Sequence, residues 1–186
     1  MELVWVISSI LLWILVLLNL LLTLALARRL NARLKVAQSD DPFANIPKLE
    51  IGQPAPDFSV ETLDGTQASL ASYVRQAVAF IFISPTCGPC REKMPTFNAL
   101  QPKARRAGVE IVLVSDSDRT ETKKFSDDFA SSLPFLIAPR ENNPFLSDYK
   151  AKGTPFYCLV TAQGDVQATG FLDDEWEALT KTWEAL

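Results

Sequence analysis

The sequence predicts an α/β fold, a central mixed sheet flanked by helices, behind a single N-terminal transmembrane helix. Three observations predict it. Leu3 to Ala27 runs for 25 positions without a charge. Ala77 to Ile83 is apolar at every position, as a strand covered on both faces must be. From there strand-like and helix-like segments alternate to the C-terminus, where two strand-like runs flank a turn. Of the 186 residues, 1–30 read as the membrane anchor, 31–50 as a stalk, and 51–186 as one compact domain of ordinary size.

At about 1.5 Å per residue, the first segment spans a hydrocarbon core of about 30 Å with some tilt. Ala25-Leu26-Ala27 resembles a signal-peptidase site. A signal peptide, however, has a basic start and an apolar core of roughly 7 to 15 residues, and here the only early charge is Glu2. An uncleaved anchor is expected. Arg28, Arg29, Arg33 and Lys35 follow the span and no basic residue precedes it, which by the positive-inside rule puts the C-terminal domain in the cytoplasm. Ser39-Asp40-Asp41-Pro42 breaks any continuing helix, and a proline-containing connector leads to Glu50.

Within the domain, Phe58, Val60 and Leu63 alternate before Asp64-Gly65, a hairpin turn signal. Val78 to Ile83 is expected at the centre of the sheet. The next helix carries Met94, Phe97, Leu100 and Ala104 at helical spacing, with Pro95 expected to kink it. Arg91, Glu92 and Lys93 read as its solvated face. Val109 to Val114 reads as a buried strand, Thr120 to Phe129 as a polar helix and Phe135 to Ile137 as a short strand. Phe156 to Val160 and Val166 to Gly170 form an antiparallel pair about the Ala162-Gln163-Gly164-Asp165 turn. A last helix, with Asp173 and Asp174 as cap candidates, packs Trp176, Leu179, Trp183 and Leu186 on the sheet.

The chemistry centres on Cys87-Gly88-Pro89-Cys90, which ends the apolar strand and opens a helix. Such a junction aims the first sulfur at a helix N-terminus, where unpaired N–H groups and the helix dipole favour a thiolate. Only a thiolate attacks a disulfide, and two cysteines at this spacing can close a small ring. Cys87 is therefore expected to form a mixed disulfide and Cys90 to resolve it. Half of a zinc site is the competing reading, but structural zinc takes four ligands and the chain has 3 cysteines and 0 histidines. No metal or other cofactor is expected. Cys158, inside a strand, reads as a buried apolar side chain, with a third redox thiol as the alternative.

The lack of histidine also excludes Ser-His and Cys-His hydrolase arrangements. Setting aside the N-terminal residues leaves 14 Lys and Arg against 21 Asp and Glu from Val36 onward, a net −7. That acidity argues against a nucleic acid partner.

Taken together, Gly52-Gln53-Pro54-Ala55-Pro56-Asp57-Phe58, Leu63-Asp64-Gly65, Ser84-Pro85-Thr86-Cys87-Gly88-Pro89-Cys90, Met94-Pro95, Gly153-Thr154-Pro155 and the final hairpin and helix resemble the thioredoxin-like superfamily. The resemblance covers roughly Ile51 to Leu186 and points to the membrane-anchored thiol-disulfide branch, which includes cytochrome-maturation thioredoxins and peroxiredoxin-related redoxins. Within it, the uncharged span, the Leu24-Ala25-Leu26-Ala27-Arg28 exit and the Ser84-Pro85-Thr86-Cys87 lead-in look most like the MauD-type accessory protein of methylamine dehydrogenase maturation.

The resemblance implies a thioredoxin-like fold and a thiol-disulfide oxidoreductase acting on protein disulfides. Cys87 would be the nucleophile, Cys90 the resolving thiol, Pro95 the helix kink and Pro155 a cis-proline facing the dithiol, with Thr154 offering backbone hydrogen bonds to substrate. The implied partners are a client protein with cysteines or disulfides, such as a quinoprotein subunit, and a membrane-embedded electron-transfer protein. Disulfide chemistry of this kind belongs mainly outside the cytosol, so the domain is expected there although the charge rule points inward.

Two departures stand out. Thr86 replaces the tryptophan common before the first cysteine, and Ile81 stands where thioredoxin keeps a buried acid, leaving Glu110 and Glu61 as candidate proton carriers. The alternative functions are a thiol peroxidase, suggested by the redoxin-like opening segment, and a non-catalytic assembly factor that only holds a client.

Overall fold

The computed structural model describes residues 48–184, with residues 12, 13, 15–17, 19, 20 and 23 upstream. The chain divides into two units, Met1–Ile46 and Pro47–Leu186. In the first, the described residues are helical, and Leu12, Trp13, Leu15, Val16, Leu17 and Leu20 are exposed. Among the described residues no helix is long and apolar enough to cross a membrane. Most of the expected anchor and of the stalk lies outside the described residues.

In the second unit the elements follow in the order β1 (Ser59–Thr62), β2 (Gln67–Ser69), a 3-10 turn (Leu70–Tyr73), β3 (Ala77–Ile83), α1 (Gly88–Arg106), β4 (Val109–Ser115), α2 (Arg119–Asp128), β5 (Phe135–Ile137), α3 (Phe145–Asp148), β6 (Phe156–Val160), β7 (Val166–Phe171) and α4 (Asp174–Glu184). Among the described residues seven strands form one sheet in the order β2-β1-β5-β4-β3-β6-β7. β3 pairs in parallel with β4 and β4 with β5, while the remaining neighbours are antiparallel. This is the mixed sheet and thioredoxin-like α/β architecture expected of the domain.

Strand alternation builds two cores from one segment. Val78, Phe80 and Phe82 point into one, with Val112, Val114, Phe145, Tyr149 and Phe156. Ala79, Ile81 and Ile83 point into the other, where α1 contributes Cys90, Met94, Phe97, Leu100 and Ala104, and α4 contributes Trp176 and Trp183. The first core is held by aromatic packing: the Phe58 ring stacks on Phe145 at 4.0 Å, and Phe80 meets Phe58 edge-on at 5.3 Å. Leu49 is buried in that core, so packing begins two residues before Ile51, where the domain was expected to start.

The Asp64-Gly65 turn joins β1 to β2 as the sequence suggests, with Gly65 at φ 91, backbone that favours glycine. α1 runs through both Pro95 and Pro102 as one helix. Asp118 caps α2, its carboxylate accepting the Glu121 N–H at 2.9 Å. At α4 the cap is Asp173, accepting from Glu175 N–H at 3.0 Å. Leu186 lies outside the described residues. The 3-10 turn and α3 were not anticipated, since four residues are too few to show a helical period.

Candidate active site

β3 and β4 stop together: Ile83 lies opposite Ser115, and the Asp116 N–H donates to the Ile83 carbonyl at 3.1 Å. The chain then turns at Ser84-Pro85-Thr86, a turn closed by the Cys87 N–H donating to the Ser84 carbonyl at 3.1 Å. Cys87 becomes the N-cap of α1, extended at φ −78 and ψ 117. Its Sγ accepts the Cys90 N–H at 3.4 Å, satisfying one of the donors a helix start leaves open. Pro89 sits in the first turn, where a missing N–H does no harm. A Cβ added at Gly88 would meet no atom within 4 Å.

The second half of the site arrives with β6. Phe156 pairs with Phe82, which sets Gly153-Thr154-Pro155 beside the turn that carries Cys87. The Thr154–Pro155 peptide is cis, and the Cys87 Sγ donates to the Thr154 carbonyl at 3.4 Å. Cys87, Cys90, Thr154 and Pro155, singled out in the sequence, are thus brought to one place. All three cysteines are free thiols in this structure, so the geometry described is that of the dithiol.

The two sulfurs have different surroundings. Cys87 is half-buried, whereas Cys90 is fully buried. Burial, and then the adjacent Cys87 sulfur, push the Cys90 thiol up to about 12, against opposing hydrogen bonds from Ser84 and Thr154. No carboxylate is among the groups acting on Cys90. Neither proposed carrier is placed to be one. Glu110 lies opposite Val78, five residues from the strand end that leads to the dithiol, about 16 Å at strand rise, and is held by Arg105 at 2.8 and 3.0 Å. Glu61 pairs with Arg119.

Cys158 resolves as the buried reading had it. It lies opposite Phe80 in the core on the far side of the sheet from Cys90. Burial pushes its thiol up to about 12, partly offset by a hydrogen bond with Thr169. A third redox thiol beside Pro155 is not what this facing allows. Among the described residues no group of three or more His, Cys, Asp or Glu is placed to hold a metal ion.

Arg91 is the residue the sequence reading passed over. Its guanidinium donates to the Pro85 carbonyl at 3.3 Å and pairs with Asp128 at 3.3 Å. It also lies over the rings of Phe125 and Phe129, at 5.5 and 5.1 Å from their centroids. It therefore fastens the turn before Cys87, and the first turn of α1, to α2. The sequence gives no hint of this, because Asp128 is 37 positions away.

Comparison with known proteins agrees with this geometry. The AhpC/TSA family profile matches residues 51–175. The thiol-disulfide oxidoreductase ResA of Bacillus cereus is 32% identical over 126 residues, covering 67% of this chain and 71% of that protein. The thioredoxin-like protein YneN of Bacillus subtilis is 30% identical over 122 residues, covering 64% and 70%. Among solved structures, one from Chlorobium tepidum named for the thiol:disulfide interchange protein DsbE superimposes with a TM-score of 0.64 at 28% identity, over 74% of this chain and 98% of that one. The thioredoxin domain of a thiol-disulfide oxidoreductase from Bacteroides vulgatus gives 0.63 at 23% identity, over 73% and 99%, and speaks for the fold alone. The chain belongs to the AhpC/TSA family, as a thioredoxin-like thiol-disulfide oxidoreductase similar to ResA and DsbE.

Proposed function

We propose that this enzyme is tethered to the membrane by its N-terminal segment and exchanges disulfides of client proteins through Cys87 and Cys90, with the domain outside the cytoplasm. The observation that carries the site assignment is the position of the Cys87 sulfur, accessible at the helix N-cap and bonded to the Thr154 carbonyl, with Cys90 shielded one turn behind. In the reducing direction the Cys87 thiolate attacks one client sulfur, forming a mixed disulfide, and the other client sulfur leaves as a thiolate that takes up a proton. Cys90 then gives up its proton and attacks Cys87. The second client thiol is released, and the enzyme is left with a Cys87–Cys90 disulfide. Two electrons and two protons pass to the client, and the oxidising direction is the reverse.

Thr154 would bind the client backbone beside Pro155. The uncharged span and the MauD-like lead-in support a client that is a cysteine-rich redox enzyme under assembly, with methylamine dehydrogenase the nearest example. A membrane-embedded electron carrier would restore the dithiol. The extracytoplasmic address rests on where protein disulfides are made and repaired. The relatives are named thiol-disulfide oxidoreductases, which favours neither a peroxidase nor a non-catalytic holder. A Cys90→Ser variant expressed in cells should accumulate mixed disulfides with clients on non-reducing gels. None forming would refute the division of roles. A membrane-impermeant thiol reagent should label Cys87 in intact cells after mild reduction, with any outer envelope opened. Labelling only after lysis would place the domain inside.

A further inference from the structure

The domain is acidic, yet one edge at the dithiol end of its sheet carries mainly basic residues. A groove of about 920 Å³ opens at the end of the sheet where β4 and β5 stop, with Arg140, Lys150 and Lys152 on its walls and Glu141 as its one acid. Arg140 belongs to the same sheet end as the dithiol, because its N–H donates to the Asp116 carbonyl and its guanidinium pairs with the Asp116 carboxylate at 2.9 Å. That pairing neutralises Arg140 and leaves two lysines against one glutamate, a net positive wall.

Both lysines are held in place by backbone. Lys150 adopts φ 57 and ends α3, its N–H donating to the Ser147 carbonyl at 3.1 Å, followed by Ala151 N–H to the Leu146 carbonyl at 2.8 Å. The Lys152 N–H folds back to the Lys150 carbonyl at 2.9 Å. Two residues later stands Thr154, whose carbonyl accepts from the Cys87 sulfur at 3.4 Å, so Lys152 lies within about 7 Å of chain from the residue that touches the reacting sulfur. Both side chains are exposed, as suits a surface that meets a polypeptide rather than a buried anion site.

We propose that this edge docks an acidic stretch of the client, with carboxylates two to four residues from the cysteine that Cys87 attacks. The proposal rests on the oxidoreductase reading and adds to it the class of client sequence. An extended chain advances about 3.3 Å per residue, so carboxylates at those positions reach Lys152 and then Lys150. The net −7 of the chain from Val36 onward repels such a segment elsewhere, so the two lysines would both steer it and fix its direction across the dithiol.

The test uses the full-length reduced chain purified in detergent. It is offered three fluorogenic disulfide peptides, identical except for Asp and Glu, Ser, or Lys at the second to fourth positions from the cysteine, and a small uncharged disulfide as reference. The acidic peptide should be reduced about tenfold faster than the lysine peptide at low ionic strength, with the ratio shrinking towards one near 0.5 M salt, where screening length falls to a few ångström. Lys150→Glu with Lys152→Glu should invert the order. Lys150→Asn with Lys152→Gln, in which asparagine suits the left-handed backbone, should abolish it. Ratios within one protein cancel any general loss of activity. A chain that reduces the reference disulfide yet ignores peptide charge, or whose preference survives both double variants, overturns the docking proposal alone. A chain inert towards the reference overturns the oxidoreductase reading and the docking with it.

Discussion

Cys90 and Cys158 have nearly the same local physics and opposite prospects. Both are fully buried, and burial is the leading reason that both thiols are pushed up to about 12. Cys90 lies on α1 and packs into the core on one face of the sheet, whereas Cys158 lies on β6 and packs into the aromatic core on the other. What separates them is the neighbour: Cys90 has a second sulfur three residues away at a helix cap, whereas Cys158 has the Thr169 hydroxyl beside it and no sulfur within its hydrogen-bonding set. A raised thiol therefore does not mark a redox centre. The mark is a buried thiol paired with an accessible one, at a helix start reached by a loop carbonyl.

The sharpest way to break this comparison is to remove each sulfur in turn. Cys87→Ser should reduce disulfide exchange to background and trap nothing, Cys90→Ser should trap mixed disulfides, and Cys158→Ala should do neither. Exchange assays with non-reducing gels decide it, and equal trapping by the first two variants would erase the proposed roles.

Next in size is the response to pH. Cys90 must lose its proton to resolve a mixed disulfide, and burial acts on it in that intermediate as well. Resolution should therefore quicken by up to about tenfold per pH unit between pH 6 and 8, as read by stopped-flow release of a labelled client. Stability should move the other way. A folded thiol raised from 9.0 to about 12 keeps a proton that the unfolded chain has lost, so the stabilisation is complete below pH 9 and is lost as pH rises towards 12. Denaturant midpoints measured across that window should fall, and less steeply in Cys158→Ala. A midpoint that holds steady would contradict the burial of both thiols.

Arg91→Ala tests what surrounds the active pair. Losing its cation–π contacts and exposed ion pair should lower stability by about 1 to 2 kcal/mol and cut kcat/KM for disulfide exchange by about fivefold to tenfold as the turn before Cys87 loosens. Arg91→Lys, which keeps the charge but not the planar fork, should recover part of the stability and little of the rate. The smallest effect belongs to Cys158→Ala, about 1 kcal/mol from lost burial, with exchange rates within twofold of the parent. A larger rate loss would give Cys158 a part in the chemistry after all.

Much of this arrangement is legible in the sequence for identifiable reasons. The β3 run is apolar at every position, α1 carries a helical stripe, and Cys87, Cys90 and Pro155 lie in short motifs that need no distant partner to be recognised. What escaped depends on contacts between remote segments. Arg91 looks like a surface residue until Pro85 and Asp128 are folded against it, and α3 is too short to have a period. Glu110 and Glu61 look eligible as proton carriers until strand register puts Glu110 at the far end of β4 and pairs Glu61 with Arg119. The facing of Cys158 is hidden for the same reason, since alternation fixes which residues share a face but not which face looks towards α1.

The open space beside Gly88 leaves its position adjustable. Its φ is not among the left-handed glycines of the domain, and a side chain there would enter solvent rather than protein. The backbone makes no demand for glycine, and alanine would even favour the helix start by about half a kcal/mol or less. Gly88, the first of the two residues between the sulfurs, can thus be exchanged without repacking either core or disturbing Arg91. A side chain there would stand in solvent at the start of α1, one residue from the Cys87 sulfur, with no protein atom within 4 Å of its Cβ.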